Sequence, residues 1–455
     1  MKTERMRSAP LVAGGSVVAA LALAGCGSPA SVDDEGAGIG AEDSSVDAEA
    51  SALSTPGALD STFGTHGITT TPVRPVGADN LALKSDGTIV VVASLSDFQV
   101  ASQVFGVLQY LPNGKLDTSF GKAGVTRTAF TTGFNAPSSL AVAADGKIIV
   151  VGSASSPDNS TAAFAVARYL PNGALDTTFG QRGLVMTSFL GKRDSASVVL
   201  LQKNGKILVG GLALTAFGRF GIPDTALARY NSDGSLDASF GQGGKVVGNI
   251  VGELKALALE ADGSVLGLGI DKAGTTAAVR FSAVGAALPV ASSGALAASA
   301  ATGSWLFAPN GAAFITAERA NGISRFDVDA RLERFALGGG ADASFKGPVF
   351  DYASPGVANR PSSVQALAVQ STGKILAGGI GTTAVGMSTM GLARFNADGS
   401  FDSGFGSHGI VTTQFAGNAD QIFALAVQPD GKIVAAGLKA DDAGTSIVLA
   451  RYLGL

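Results

Sequence analysis

The chain has 455 residues, 46% of them hydrophobic and only 15% charged, with 63 glycines and one cysteine. Its 32 basic and 36 acidic side chains give a net charge of −4. With its one cysteine at position 26, the rest of the chain can hold neither a disulfide nor a thiolate metal site. Without a basic surplus there is no electrostatic footprint for nucleic acid.

The first segment reads as an address. Lys2, Arg5 and Arg7 form a basic start, and an apolar stretch follows from Leu11 to Leu23. That stretch is too short to span a bilayer comfortably, so residues 1–25 are expected to be a signal peptide. It ends in Leu23-Ala24-Gly25-Cys26, which resembles the lipobox of bacterial lipoproteins. The resemblance implies cleavage before Cys26 and a diacylglycerol on its thiol; no other cofactor is expected. The stretch that follows Cys26, up to residue 56, carries Asp33, Asp34, Glu35, Glu42, Asp43, Asp47 and Glu49, with no Lys, Arg or aromatic residue. Such a segment cannot bury enough apolar surface to offset its ordering entropy. Residues 26–56 are therefore expected to be a lipidated, disordered acidic tether, and the body beyond it is close to neutral.

From residue 57 to 455 one unit recurs. Its mark is a turn glycine followed by a strand, at Gly87, Gly146, Gly205, Gly263, Gly311, Gly373 and Gly431, with spacings of 59, 59, 58, 48, 62 and 58. Seven copies at this period predict an all-β, seven-bladed propeller rather than a helical solenoid. Each copy reads as four strands, as in "LAVAADG", "GKIIVVG", "FAVARY" and "LDTTFGQRGLVMT", rich in Val, Ile, Phe and Tyr and punctuated by Asn-Gly and Asp-Gly. We label them a to d. Six residues before the turn glycines stand Leu81, Leu140, Val199, Leu257, Trp305, Leu367 and Leu425. This is a core position, so the only tryptophan is expected to fill core and not to stack on a cofactor.

The c–d hairpin fixes a register. Around the Ser-Asp-Gly loop at 232–234, antiparallel pairing sets Arg229 opposite Asp237 and Tyr230 opposite Leu236. The same offset of eight joins Arg168 to Asp176, Arg325 to Glu333 and Arg394 to Asp402, with Gln109–Asp117 as a neutral version. Arg280 faces Leu288, so that pair is broken. The last copy stops at "LARYLGL", while "GALDSTFGTHG" at 57–67 is a strand d with no strand c before it. Donating this N-terminal strand to the last blade pairs Arg451 with Asp60 and removes an open edge.

These residues resemble the delta-60 repeat family of bacterial propeller proteins, whose units look like "LARYNPDGSLDTSFGxGGKVxT…AVAVQPDGKILVAG". The likeness covers 57–455, sharp in copies one to three, six and seven and weak over about 264–350. The family is best represented among myxobacteria, which implies a diderm envelope. Gly27 after the cysteine resembles lipoproteins sorted to the outer membrane. No activity comes with the resemblance.

The chemistry-bearing residues are few. His66 and His408 share one repeat position in strand d and read as repeat filler. Asn135, Asp194, Glu253 and Asp420 stand at the entry to strand a, where they either start strands or ring a channel mouth and hold a cation. The Asp-Gly pairs lack the spacing of a calcium loop. The a–b and c–d turns are short, whereas the b–c and d–a loops vary: 94–103, 212–224, 438–447 and, longest, 338–361. Variable loops on a rigid scaffold are where recognition sits. Their aromatic and Arg side chains, Phe217, Arg219, Phe220, Phe350 and Tyr352, are the candidate ligand contacts. The expectation is a monomeric, lipid-anchored outer-membrane propeller, periplasmic or surface-facing, that acts as a binding or scaffold module for a protein or glycan. The alternative is an envelope hydrolase, lactonase-like, using a cation at the channel mouth.

Overall fold

The computed structural model describes residues 55–97, 102–189, 192–214, 223–248, 252–270, 276–289, 301–307, 313–320, 329–336, 341–352, 363–383, 387–415, 420–441 and 444–454. Every regular element among them is a β-strand. The strands fall into antiparallel meanders, here called units 1 to 7. Their first strands are Pro75–Leu83, Asn135–Val142, Arg193–Leu201, Glu253–Leu259, Ala301–Phe307, Ser363–Val369 and Gln421–Val427. Units 2 and 3 touch through one bridge, Arg193 with Ala162, and so count as a single eight-stranded sheet. The fourth strand of the last unit is Ile68–Thr71, which pairs with Gly444–Tyr452.

Packing follows the same order. The first strand of each unit lies against that of the next, and Gln421–Val427 lies against Pro75–Leu83. Sheets covered on both faces need apolar side chains on both, which is why Ile148–Ser155 is buried over five consecutive residues. Each buried cluster straddles two neighbours: Val90, Phe105 and Phe120 with Leu140 and Tyr169, for example. Leu81, Leu108 and Tyr110 of unit 1 pack in the same way with Val434, Leu438 and Leu449 of unit 7. Trp305 is 4% exposed in the cluster between units 4 and 5, and its indole N–H lies 3.4 Å from Thr276 Oγ1.

Two polar latches cross between units. The buried hydroxyls of Tyr110, Tyr169 and Tyr230 donate at 2.8–2.9 Å to Thr71, Thr128 and Thr187, each at the end of strand d in the preceding unit. Tyr452 and Thr413 make the same contact at 2.8 Å. The second latch is arginine. Arg451 donates to the Pro112 carbonyl in unit 1 at 2.7 Å, and Arg334 of unit 5 to Ala397 of unit 6 at 2.8 Å.

One register differs from expectation. Arg325 lies outside the described residues, and Glu333 pairs with Arg331 at 3.3 Å. The fifth hairpin is instead Arg334–Asp342, Nε to Oδ2 at 2.8 Å, with Phe335 bridged to Ala341. The offset of eight survives, but the connecting sequence "ALGGGAD" lacks the Asp-Gly pair. The variable segment expected over 338–361 therefore begins with part of the repeat.

Candidate functional site

The turn face is built from ion clusters that repeat with the fold. In unit 3 the Asp237 carboxylate accepts from Arg229 Nε and from Lys206 Nζ, both at 2.6 Å. In units 2 and 6 Asp176 and Asp402 receive Arg168 and Arg394 at 2.9 and 2.7 Å. In unit 7 Asp60 receives Arg451. Each guanidinium also lies over a phenylalanine ring, with Phe179, Phe240, Phe405 and Phe63 at 4.4–4.6 Å. Burial opposes the charge on Asp176. The hydroxyl and amide of Thr178 and the charges of Arg168 and Lys147 outweigh it and hold its carboxyl at about 2. Each of these arginines gives Nε to the carboxylate of its own hairpin and Nη1 to a backbone carbonyl of the next unit, which makes it a joint between units. In unit 4 Arg280 does face Leu288, and it turns instead to Glu260 and Asp262.

The four strand-entry residues do not act together. Asn135, Asp194 and Asp420 are fully buried and bind the backbone of their own d–a loops. Asn135 accepts from the amides of Phe130 and Thr131 and donates to the Gly133, Thr131 and Gln103 carbonyls. Asp194 accepts from the Phe189 amide and Asp420 from the Phe415 amide, each at 2.7 Å. Burial pushes the Asp420 carboxyl up. Only Glu253 points elsewhere: its Oε1 accepts from Ser197 Oγ at 2.5 Å and meets Lys255 Nζ at 2.7 Å, joining the first strands of units 3 and 4. Among the described residues no group of three His, Cys, Asp or Glu has the geometry to hold a metal ion. His66 and His408 are exposed in equivalent turns at φ 53° and 54°, where unit 3 has Gly243.

The long-loop side corrects part of the aromatic set. Phe350 is 6% exposed and Tyr352 is fully buried. Phe350 ends the outer strand of unit 5 and packs edge-on against Tyr352 and Phe395, at 5.4 and 5.1 Å. Tyr352 lies against Gly381 and Gly391, where a Cβ at Gly391 would come within 2.2 Å of the ring. They fill the seam between units 5 and 6 and are not ligand contacts. Phe217, Arg219 and Phe220 lie outside the described residues, as do Cys26 and the tether up to residue 54; at the tether's end the Pro56 carbonyl accepts the Gly406 amide at 2.9 Å.

Sequence reasoning passed over Phe134, which is 49% exposed on this side. The signal was a repeat position: twelve residues before the turn glycine stand Pro75, Phe134 and Arg193, in copies that otherwise agree closely. Phe134 is tied to the b–c loop of its own unit, donating to Asn159 Oδ1 at 3.3 Å and accepting from the Ser155 amide at 2.8 Å.

Four stretches, 84–120, 143–179, 202–240 and 370–405, match a family model described as a domain of unknown function (DUF5122) beta-propeller. The chain carries β-propeller repeats. No curated protein matches the sequence. Solved structures similar to it include the β-propeller domain of the trilobed protease from Pyrococcus furiosus, at 10% identity and a TM-score of 0.40, covering 84% of this chain and 95% of that one. A gluconolactonase from Xanthomonas campestris is 11% identical with a TM-score of 0.32, covering 67% and 90%. An α-L-arabinofuranosidase from Fusarium graminearum is 9% identical with a TM-score of 0.40, covering 82% and 92%. Likeness at this level says nothing of activity.

Proposed function

We propose that this β-propeller is seven-bladed, closed by its N-terminal strand, and works as a binding or scaffold module of the cell envelope for a protein or glycan. In this reading Cys26 carries a diacylglycerol in the outer membrane, residues 26–56 are the tether, and the long-loop side meets the ligand. Ring closure is supported by the pairing of Ile68–Thr71 with the last strand and by the seventh unit's contact with the first. The anchor is supported by the lipobox-like run before the only cysteine.

The observation that carries binding over catalysis is the fate of the strand-entry residues. Three of the four that would have ringed a channel mouth bind the backbone of their own loops, Asp194 and Asp420 through Oδ2, whereas the side opposite the ion clusters holds an exposed, backbone-fixed aromatic. The test passes solubilised envelope fractions over the immobilised full chain and probes both faces. Retention of envelope protein or glycan that Phe134→Ala weakens and Lys147→Ala leaves unchanged supports the reading. Hydrolysis of a lactone panel that is lost with Glu253→Gln would replace it with the enzymatic one.

A further inference from the structure

The b–c loop of unit 2 gathers side chains from two units. Asn159 is the hub. It sits at φ 55°, a left-handed conformation that asparagine tolerates, and its amide donates to the Ser156 carbonyl at 2.8 Å. Its side-chain oxygen accepts the Phe134 amide, and its carbonyl accepts Arg193 Nη2 at 3.4 Å. The Ala162 amide donates to the Lys192 carbonyl at 2.9 Å, fixing the entry of unit 3 to the same loop. Next to the hub, exposed Asp158 accepts from Ser156 Oγ at 2.6 Å and from the Ser160 amide at 3.1 Å. Those bonds hold its carboxyl at about 2, so it is an ionised acceptor at neutral pH.

We propose that this loop is a saccharide-binding platform, with Phe134 as the stacking surface and Asp158 and Arg193 as its polar rim. A pyranose has one apolar face and an edge of hydroxyls, and an isolated exposed ring inside a polar loop is its complement. A protein hot spot needs a wider, water-excluding apolar centre, and residues 156–161 of this loop add only Pro157 to the ring. Asp158 and the Asn159 carbonyl accept from hydroxyls, while Arg193 donates to a hydroxyl or to a uronic carboxylate. The platform rests on the long-loop reading above and narrows it to one ligand class. Phe134 and Arg193 hold one repeat position in adjacent units, and Asn159 of the loop between them bonds to both.

Saturation-transfer NMR on the full chain in detergent, with cellohexaose and with hexagalacturonate as probes, tests it. Transfer to the ring protons of at least one sugar is expected. Phe134→Ala should weaken binding about tenfold, a loss of ~1.4 kcal/mol, and Phe134→Tyr should restore it. Arg193→Ala should weaken the acidic sugar more than the neutral one. Because Phe134 is exposed, urea midpoints of its variants should match the parent. Transfer to neither sugar, or equal binding by Phe134→Ala, overturns the platform. If neither sugar binds while envelope protein is still retained through the long-loop side, the platform falls and the wider binding reading stands. If an envelope extract yields neither retained protein nor retained polysaccharide, both fall.

Discussion

Arg451 and Asp60 are 391 residues apart in sequence and meet through two contacts of 2.9 Å, from Nε and Nη2 to Oδ2. Both side chains are buried, and the guanidinium also lies 4.6 Å from the centre of the Phe63 ring. Removing Arg451 leaves the buried Asp60 carboxylate with Lys432 Nζ at a longer 3.4 Å and with Thr62. Arg451→Ala should cost about 3 kcal/mol in urea unfolding, and Arg451→Lys should recover only part, since an ammonium cannot fork between Asp60 and the Pro112 carbonyl. Deleting 57–71 should cost more, because it also removes Phe63 from the core it shares with Leu108 and Tyr110 and opens a strand edge. A deletion as stable as the parent would show that the N-terminal strand is an accessory.

The repeated carboxylates predict an acid limb. Asp176 is held at about 2, and Asp60, Asp237 and Asp402 are also lowered; in each, burial is outweighed by hydrogen bonds and by the neighbouring Arg and Lys. A folded pKa below the unfolded value means that the unfolded chain binds more protons in between. The stabilisation is therefore complete above about pH 4 and is lost as the pH falls toward about 2. Thermal melts should fall steeply over that window, and Asp176→Asn should flatten the slope.

Asp79 runs the other way. Burial lifts its carboxyl to about 7, against bonds from the Ser94 amide and hydroxyl at 2.9 and 3.3 Å. Here the folded chain keeps a proton that the unfolded chain releases, so stability drains as the pH rises from about 4 to 7. Asp79→Asn keeps an acceptor for Ser94 and removes the ionisation. It should be more stable than the parent by about 2 kcal/mol at pH 8 and equal to it near pH 3.5. Equal stability at both would mean that Asp79 ionises freely.

Much of this architecture was legible because it is local and repeated. A hairpin with an offset of eight announces its register, and Tyr230 bridges Leu236 as pairing requires. Copy five was misread because its turn had lost the Asp-Gly mark, so the nearest Arg–Glu spacing stood in for Arg334–Asp342. Phe350 and Tyr352 looked like loop aromatics because nothing in their neighbourhood says that Gly381 and Gly391, far downstream, leave a slot for a ring. Tyr–Thr latches between units were invisible for the same reason: partners about forty residues apart meet only through the packing of one sheet on the next. Asn159 was invisible as a hub because its partners Phe134 and Arg193 stand 25 and 34 residues away in sequence.

The inner pairing predicts a sharp glycine requirement. In units 2, 3, 4, 6 and 7 strand b carries Gly152, Gly211, Gly269, Gly379 and Gly437 opposite a bulge in strand a. A Cβ on Gly211 would lie 2.0 Å from the Ser195 carbonyl oxygen, and the other four would meet the matching carbonyl at 1.8–2.2 Å. A backbone oxygen cannot swing aside, so Gly211→Ala must shift the strand. We expect a loss of about 3 kcal/mol, far beyond what helix or strand propensity would give. Unit 1 is the natural control. It has Ala93 at this position, and its first strand carries a second irregularity, between Pro75 and Gly77, besides the one at Asp79. Unit 1 has already absorbed the methyl group, so Ala93→Gly should cost only about 0.5–1 kcal/mol of chain entropy. Matching denaturation curves for Gly211→Ala and the parent would mean that the bulge yields freely, and the second irregularity in unit 1 would then need another cause.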